Sequence, residues 1–209
     1  MKMNLPNKLS VLRLIMVPIF MVVMLLPAFC DFNETANIVL NVVGVLLFIA
    51  ASFTDMLDGK IARKYNLITD FGKFLDPLAD KFMVIGAMLC IFYVNSVVGN
   101  KNLATLYIFA LIVVVFRELA VTSIRLVASS SGGVVIAANM LGKLKTVTQI
   151  VAVCAAIIEP VVYSVAQVEG WVRAFPPITL VTTVAMIYLT IHSGINYIVG
   201  AWKYLDPEK

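Results

Sequence analysis

Six apolar stretches, separated by short polar segments, are the feature that most constrains the fold of this chain. A membrane-spanning helix needs about 20 predominantly apolar residues. Several stretches reach this length only if half-polar neighbours, such as residues 54–63 and 70–81, continue the same helices. The sequence therefore predicts an all-α integral membrane protein with six transmembrane helices that project beyond the hydrocarbon on one side. The apolar stretches cover approximately residues 11–29, 38–53, 82–98, 103–116, 147–158 and 178–191.

The composition agrees with a membrane protein. Of the 209 residues, 61% are hydrophobic and 13% are charged, whereas about a quarter of the residues in a soluble domain are charged. This excludes a soluble globular enzyme, a disordered chain and a large multidomain receptor. Residues 1–209 are predicted to form a single transmembrane catalytic domain. We expect the first stretch to remain as a helix rather than to be cleaved as a signal peptide, because it contains Arg13 and has no small-residue cleavage site before Cys30.

The basic residues predict the topology. Of the 16 lysines and arginines, only Lys101 and Arg173 are expected at one end of the helices. Positive charge collects on the cytoplasmic side of membrane proteins, so both termini and the connections after the second and fourth helices are predicted to be cytoplasmic, in a multi-pass protein of the cytoplasmic (inner) membrane. The net charge of +4 is thus explained without a nucleic-acid partner. The residues expected at the cytoplasmic end are Lys2, Lys8, Arg13, Lys60, Arg63, Lys64, Lys73, Lys81, Arg117, Arg125, Lys143, Lys145, Lys203 and Lys209.

The connections at the other end are predicted to be short. They are expected at residues 31–37, 99–102 and 159–177, and the last is expected to hold a surface helix that ends at Pro176 and Pro177.

Two pairs of aspartates carry the chemistry of the second and third helices. Asp55 and Asp58 are three residues apart, and Asp76 and Asp80 are four apart, so each pair lies on one helix face. Between them, residues 65–69 form a short break, with Thr69 or Asp70 as the predicted N-cap of the next helix. Two antiparallel helices joined so tightly would bring the four carboxylates together.

Four carboxylates at one point require cations. Two like charges about 4 Å apart repel by about 4 kcal/mol even at an effective dielectric near 20. Ligands that are all oxygen favour Mg²⁺ or Mn²⁺ over Zn²⁺. Two such ions can hold the attacking and leaving oxygens of a phosphoryl group in line, which makes phosphoryl-group transfer the natural chemistry of this site.

Small residues and an arginine accompany the aspartates. Gly59, Ala62 and Gly72 remove side chains beside the carboxylates, which lets either a ligand or another helix approach the backbone closely. Arg63 supplies a planar donor for a phosphate oxygen. Arg13, inside the first helix, could either line the same pocket or extend its charge to the membrane surface.

A second group of charged residues is expected where the fourth and fifth helices end. Charge close to the apolar zone is costly and usually functional, and four cations there could bind a dianionic phosphate. The alternative is that they are anchors facing lipid phosphates, and Glu118 could simply neutralise Arg117. The four cations are Arg117, Arg125, Lys143 and Lys145.

The aspartate segment resembles the complete signature of the CDP-alcohol phosphatidyltransferase family. Every position is filled in Asp55-x₂-Asp58-Gly59-x₂-Ala62-Arg63-x₈-Gly72-x₃-Asp76-x₃-Asp80. The resemblance implies a six-helix membrane fold, usually a homodimer, that transfers a phosphatidyl group from a CDP-linked lipid to an alcohol and releases CMP. It also implies that Asp55, Asp58 and Asp76 bind the metals, and the CDP pyrophosphate through them, with Asp80 as a ligand and general base.

Three further segments are similar to the bacterial members of this family that make phosphatidylglycerophosphate. They are Asn4-Leu-Pro-Asn7-Lys-Leu-Ser10-x₂-Arg13, the group Arg117-Glu118 with Thr122 and Arg125, and Ala138-Asn-Met-Leu-Gly142-Lys143-x-Lys145-Thr146-x₂-Gln149. Where the family often has Gly-Leu, this chain has Ser123-Ile124. The similarity implies that the acceptor is glycerol 3-phosphate and the donor is CDP-diacylglycerol.

The resemblance also assigns residues to each substrate. Asp76 and Asp80 are expected to be catalytic. The residues expected to bind the CDP-lipid are Asn7, Ser10, Asp58, Gly59, Ala62, Arg63, Gly72 and Lys73. The residues expected to bind glycerol phosphate are Arg117, Thr122, Arg125, Lys143 and Lys145.

Two alternatives remain from the sequence. A different acceptor, such as inositol phosphate or a second lipid, would keep the aspartates and change only the cationic pocket. An ion-coupled transporter would use the acidic cluster as an ion site, but it predicts acidic residues near mid-membrane and inverted repeats. Here the acidic residues lie at helix ends on one side and no repeat is visible, so the transporter ranks lower.

Overall fold

The chain folds into long helices. The computed structural model of the protein describes residues 3–65, 67, 69–130 and 140–202, and within these ranges there are seven α-helices and no strand. Six of them are long and apolar enough to cross a membrane, which confirms the predicted fold class. The helices are α1 (Leu5–Phe29), α2 (Glu34–Lys64), α3 (Asp70–Val98), α4 (Lys101–Ser130), α5 (Met140–Val165), α6 (Trp171–Ala174) and α7 (Pro177–Ala201). The sequence assignments at Lys2, Ala138, Asn139, Lys203 and Lys209 lie outside the described residues.

The six long helices form a closed ring. Around it each helix packs against the next in the order α1, α3, α4, α7, α5, α2 and back to α1, and α3 also contacts α5 across the middle. The interior is filled by large side chains such as Phe20, Phe48, Met83, Tyr107 and Met186, all almost completely buried. Large apolar side chains also cover the outside of the ring, as expected for helices surrounded by lipid.

Specific residues cap the starts and ends of the helices at the turns. The side chain of Asn33 accepts from the backbone N–H of Ala36 at the start of α2, and that of Thr69 accepts from Gly72 at the start of α3. Thr69 is therefore the N-cap of α3, which confirms one of the two predicted residues, Thr69 or Asp70. Gly99 ends α3 with a φ of 102°, a conformation that glycine adopts at little cost.

The start of one predicted connection is wrong. The prediction places it at residues 159–177, but α5 runs through Glu159 and Pro160 to Val165. The surface helix predicted in this connection is present as the four-residue α6, which ends shortly before Pro176. Proline is tolerated inside membrane helices because neighbouring helices satisfy the freed backbone groups. The two short connections on the same side are also tighter than expected, since α2 begins at Glu34 and α4 at Lys101.

The charge asymmetry expected from the sequence is present in the bundle. Lys101 begins α4, and the side chain of the neighbouring Asn100 donates to the carbonyl of Arg173, 3.3 Å away, so both exceptional cations lie at one end. The four signature aspartates and the other described basic residues lie at the opposite end, where α2 and α4 finish and α3 and α5 begin.

Candidate active site

Two aspartates of α2 are bound to an arginine of α1. The Nη1 atom of Arg13 lies 2.5 Å from Oδ1 of Asp55, and its Nη2 atom donates to Oδ2 of Asp58. Arg13 is completely buried, so its charge does not extend to the membrane surface. Of the two roles considered for this residue, the one inside the pocket is closer to what is found, although its partners are carboxylates of the chain itself.

A serine of α1 joins the two aspartate-bearing helices. The hydroxyl of Ser10 lies 2.6 Å from Oδ1 of Asp76 on α3 and 3.4 Å from Oδ2 of Asp58 on α2. Asp76 is also close enough to Asp55 and Asp58 to interact with both electrostatically. The first helix therefore supplies the polar side chains that hold the two halves of the signature together.

Asp80 lies on the next turn of α3 and connects this group to the other helices. It interacts electrostatically with Asp55 and Arg13 on one side and with Lys145 and Glu118 on the other. Its Oδ1 atom is buried and accepts no hydrogen bond from any described residue. Asp80 is thus the point at which the acidic and basic parts of the site meet.

The signature glycines have different neighbours. A Cβ atom at Gly72 would lie 3.0 Å from Oδ1 of Asn7 and 3.3 Å from Oγ1 of Thr69, and Thr69 donates to that same Asn7 oxygen at 2.9 Å. The absence of a side chain at Gly72 therefore serves the approach of α1. At Gly59 the nearest side chain is that of Arg63. A Cβ atom at Gly59 would lie 3.5 Å from its Nη1 atom, which is an ordinary van der Waals distance.

The remaining residues expected to bind the CDP-lipid border the aspartates. Arg63 and Lys73 are exposed at this end of the bundle, and Ala62, the residue before Arg63, is half-buried. The ammonium of Lys73 lies 3.0 Å from Oδ1 of Asp70, so its charge is partly engaged within its own helix turn.

Two of the four cations expected to bind phosphate meet on one carboxylate. Oε1 of Glu118 accepts from Nη1 of Arg117 at 3.0 Å and from Nζ of Lys145 on α5. All three side chains are at least 86% buried, with exposed fractions of 13%, 14% and 8%. Neutralisation of Arg117 by Glu118 is therefore found, but Lys145 shares the same oxygen, and these are not cations facing lipid phosphates.

The other expected acceptor residues have different surroundings. Thr122, one turn beyond Glu118, accepts from Nζ of Lys81 at 2.5 Å. Arg125 is exposed, with its guanidinium 5.9 Å from the ring centre of Tyr197, and Lys143 is exposed on the first turn of α5.

Sequence reasoning missed the contacts of three members of the site. Arg13 and Glu118 were noted, but their links to two partners each were not predicted. Lys81 was counted only among the basic residues of one end. Its position immediately after Asp80 is the signal that could have found it, since a residue beside the last aspartate must lie near the helix that contacts α3.

The carboxylates have the donor chemistry that Mg²⁺ or Mn²⁺ prefers, because all their ligand atoms are oxygen. Among the described residues, no three carboxylate, histidine or cysteine side chains are already gathered around one point, and two of the four signature aspartates are bound to Arg13. The buried Oδ1 of Asp80, which accepts no hydrogen bond from the described residues, is an acceptor that a cation would satisfy. The aspartates therefore fit a divalent metal in chemistry.

Comparison with known proteins shows the family of the chain. The model of the CDP-alcohol phosphatidyltransferase family matches residues 3–191. A CDP-diacylglycerol–glycerol-3-phosphate 3-phosphatidyltransferase of Bacillus subtilis is 40% identical over 208 residues, which is 98% of both chains. A protein of the same name from Rickettsia felis is 32% identical over 96% of this chain and 97% of its own. A probable phosphatidylglycerophosphate synthase of Mycobacterium tuberculosis is 32% identical over 96% of this chain and 82% of its own. With its signature aspartates at one end of a six-helix ring and a family match over most of its length, this chain belongs to the CDP-alcohol phosphatidyltransferase family.

Proposed function

We propose that this protein transfers the phosphatidyl group of CDP-diacylglycerol to the 1-hydroxyl of sn-glycerol 3-phosphate, giving phosphatidylglycerophosphate and CMP. Relatives that carry this activity in their names align with nearly the whole chain. The structural observation that carries the proposal is the position of Asp80, which interacts with the aspartate group on one side and with Lys145 and Glu118 on the other. A reaction between a pyrophosphate donor and a phosphate-bearing acceptor needs these two environments side by side.

The donor would occupy the acidic side of the site. Mg²⁺ or Mn²⁺, held by Asp55, Asp58, Asp76 and Asp80, would supply positive charge to the pyrophosphate. Arg63 is exposed beside these aspartates and has the planar donor group that suits a phosphate oxygen. Lys73 lies at the same end. Asn7 and Ser10 hold the start of α3 against α1, which fixes the positions of the aspartates.

The acceptor would occupy the basic side. Arg117 and Lys145 are nearly buried and meet beside Asp80, and Thr122, Arg125 and Lys143 border them. Charge-assisted bonds from several cations orient a phosphate more strongly than one neutral donor does. Binding glycerol 3-phosphate through its phosphate would direct its free hydroxyl toward α3.

Asp80 is proposed as the general base. Its carboxylate takes the proton from the 1-hydroxyl, the hydroxyl oxygen attacks the phosphorus next to the diacylglycerol, and the bond from that phosphorus to the CMP oxygen breaks. Asp76, whose carboxylate is fixed by Ser10, lies one turn earlier on the same face. No covalent intermediate is required, because the attacking group belongs to the acceptor.

The setting of this reaction also belongs to the proposal. Residues 1–209 form one transmembrane catalytic domain of a homodimer in the cytoplasmic membrane. Both termini and the active site face the cytoplasm, because the basic end of the bundle also carries the aspartates. The diacylglycerol chains stay in the lipid while the CDP group reaches the aspartates.

The test is release of CMP by the purified protein in detergent, with CDP-diacylglycerol and Mg²⁺ or Mn²⁺. Glycerol 3-phosphate, inositol phosphate, serine and no acceptor are compared, with Asp80→Asn measured beside the wild type. Release that depends on glycerol 3-phosphate and falls about 10²–10⁴-fold in the variant, the usual effect of losing a general base, is expected. Release with another acceptor alone contradicts the acceptor assignment, and no release with any acceptor in either metal contradicts the transferase activity.

A further inference from the structure

Glu118 occupies a position that the proposed chemistry does not itself require. It is a largely buried carboxylate in the basic half of the site, and one of its oxygens accepts from two cations that belong to different helices, Arg117 on α4 and Lys145 on α5. Because both bonds end on Oε1, the guanidinium and the ammonium lie within two hydrogen-bond lengths of each other. Their separation is therefore set by Glu118.

Both cations keep donors for a further partner. An ammonium has three N–H donors and a guanidinium five, and the bond to Glu118 uses one of each. The Nε atom of Arg117 is buried and donates to no described residue. A phosphate group presents several oxygens around one phosphorus atom, so it can accept from two donors held this close together.

The local charge also matches a phosphate. Lys81, Arg117 and Lys145 contribute three positive charges, and Glu118 and the nearby Asp80 contribute two negative charges, so this group carries a net positive charge even before the exposed Arg125 and Lys143 are added. A phosphate monoester carries about −1.5 to −2 at pH 7. Glu118 thus leaves the group net positive, as an anionic ligand requires, while it reduces the repulsion between the ammonium of Lys145 and the guanidinium of Arg117.

We propose that Glu118 is a positioning residue for acceptor binding. It holds Arg117 and Lys145 at the spacing at which both can bind the phosphate of glycerol 3-phosphate. This inference rests on the proposed function. Glu118 does not contact the phosphate, because two anions would repel. Without its charge, Arg117 and Lys145 separate, and Lys145 moves toward the nearby carboxylate of Asp80.

The test is Glu118→Gln, which keeps the shape and removes the charge, together with Glu118→Asp, which keeps the charge on a shorter side chain. Their matched control is Glu159→Gln, because Glu159 is also buried but lies at the opposite end of the bundle. KM for glycerol 3-phosphate is expected to rise at least about tenfold in Glu118→Gln and less in Glu118→Asp. KM for CDP-diacylglycerol stays within about twofold in both, and Glu159→Gln matches the wild type for both substrates.

A second readout needs no turnover. A ligand that binds only the folded protein raises its unfolding temperature, so glycerol 3-phosphate alone, without the CDP-lipid, should stabilise the wild type. Glu118→Gln should need about tenfold more of it for the same shift. If Glu118→Gln does not fold, Glu118→Asp decides between the two outcomes.

An unchanged KM for glycerol 3-phosphate in the Glu118 variants, or a parallel rise for both substrates, overturns the positioning role and leaves simple neutralisation. Failure of the wild type to use glycerol 3-phosphate at all is a different result, which overturns the proposed function itself.

Discussion

Arg13 on α1 and Asp58 on α2 form an ion pair inside the bundle, where their side chains are 0% and 4% exposed. The same guanidinium lies 2.5 Å from Asp55, so one cation forms ion pairs with two of the signature carboxylates. A buried charge without a partner is strongly destabilising. Arg13 therefore stabilises the site, although it lies outside the signature segment.

Replacing Arg13 should damage both folding and activity. Arg13→Met leaves Asp55 and Asp58 without their cation, and removing one partner of a buried pair costs about 3–5 kcal/mol. Arg13→Lys keeps the charge but has no planar fork to reach both carboxylates, so it should be intermediate. The unfolding temperature in detergent and CMP release measure the two effects. Lys8→Met, an exposed change on the same helix, is the control, and an Arg13→Met protein as stable as this control would contradict the assignment.

Gly72→Ala should lower activity by displacing α1. The new methyl group would lie 3.0 Å from Oδ1 of Asn7, a contact that forces this side chain and its bond to Thr69 to shift. The start of α3, which carries Asp76, would move with it. We expect CMP release to fall about tenfold or more, since small displacements of catalytic groups have large effects on rate. Gly200→Ala, where a Cβ meets nothing within 4 Å, should behave as the wild type, and equal rates in the two variants would disprove this explanation.

Lys81 should contribute to acceptor binding. Its ammonium is fixed by Thr122 at 2.5 Å, beside the cations that are proposed to grip the phosphate. Hydrogen bonds to charged groups contribute about 1.5–3 kcal/mol, so Lys81→Met should raise KM for glycerol 3-phosphate about tenfold or more. Kinetics with each substrate varied in turn provide the measurement. Lys64→Met, an exposed lysine at the same end, should leave both KM values unchanged. A similar KM for glycerol 3-phosphate in the two variants would exclude Lys81 from the acceptor site.

Glu159 should matter for stability and not for substrate binding. It accepts from the backbone N–H groups of Ile178 and Thr179, at 3.1 and 2.6 Å, and from the hydroxyl of Tyr163, so a residue of α5 caps the start of α7. Losing such a cap costs about 0.5–2 kcal/mol, which corresponds to a fall of a few degrees in the unfolding temperature. Glu159→Gln is expected to show this fall with unchanged KM values. Glu34→Gln, an exposed acidic residue in the first turn of α2, should show none, and an equal effect in both variants would argue against the cap.

Hydropathy and charge were sufficient to predict the helices, because in a membrane each spanning segment must satisfy its own backbone. The Thr69 cap was likewise predictable, since it depends on residues three positions apart. The end of α5 was not, because Glu159 and Pro160 resemble a loop until one knows that Glu159 binds the start of α7. The partners of Arg13, Lys81 and Glu118 lie on other helices, and only the packing of the ring reveals them.

The packing of α1 against both α2 and α3 has a consequence for the insertion of the protein into the membrane during its synthesis. These three helices are synthesised first, and they contain every aspartate of the signature. With Arg13 and Ser10 on the leading helix, Asp55 and Asp58 already have an ion-pair partner and Asp76 a hydrogen-bond donor before the ribosome has made α4 or α5. Three of the four signature carboxylates are therefore partnered within the first three helices, while Lys145, which interacts with Asp80, is added later with α5.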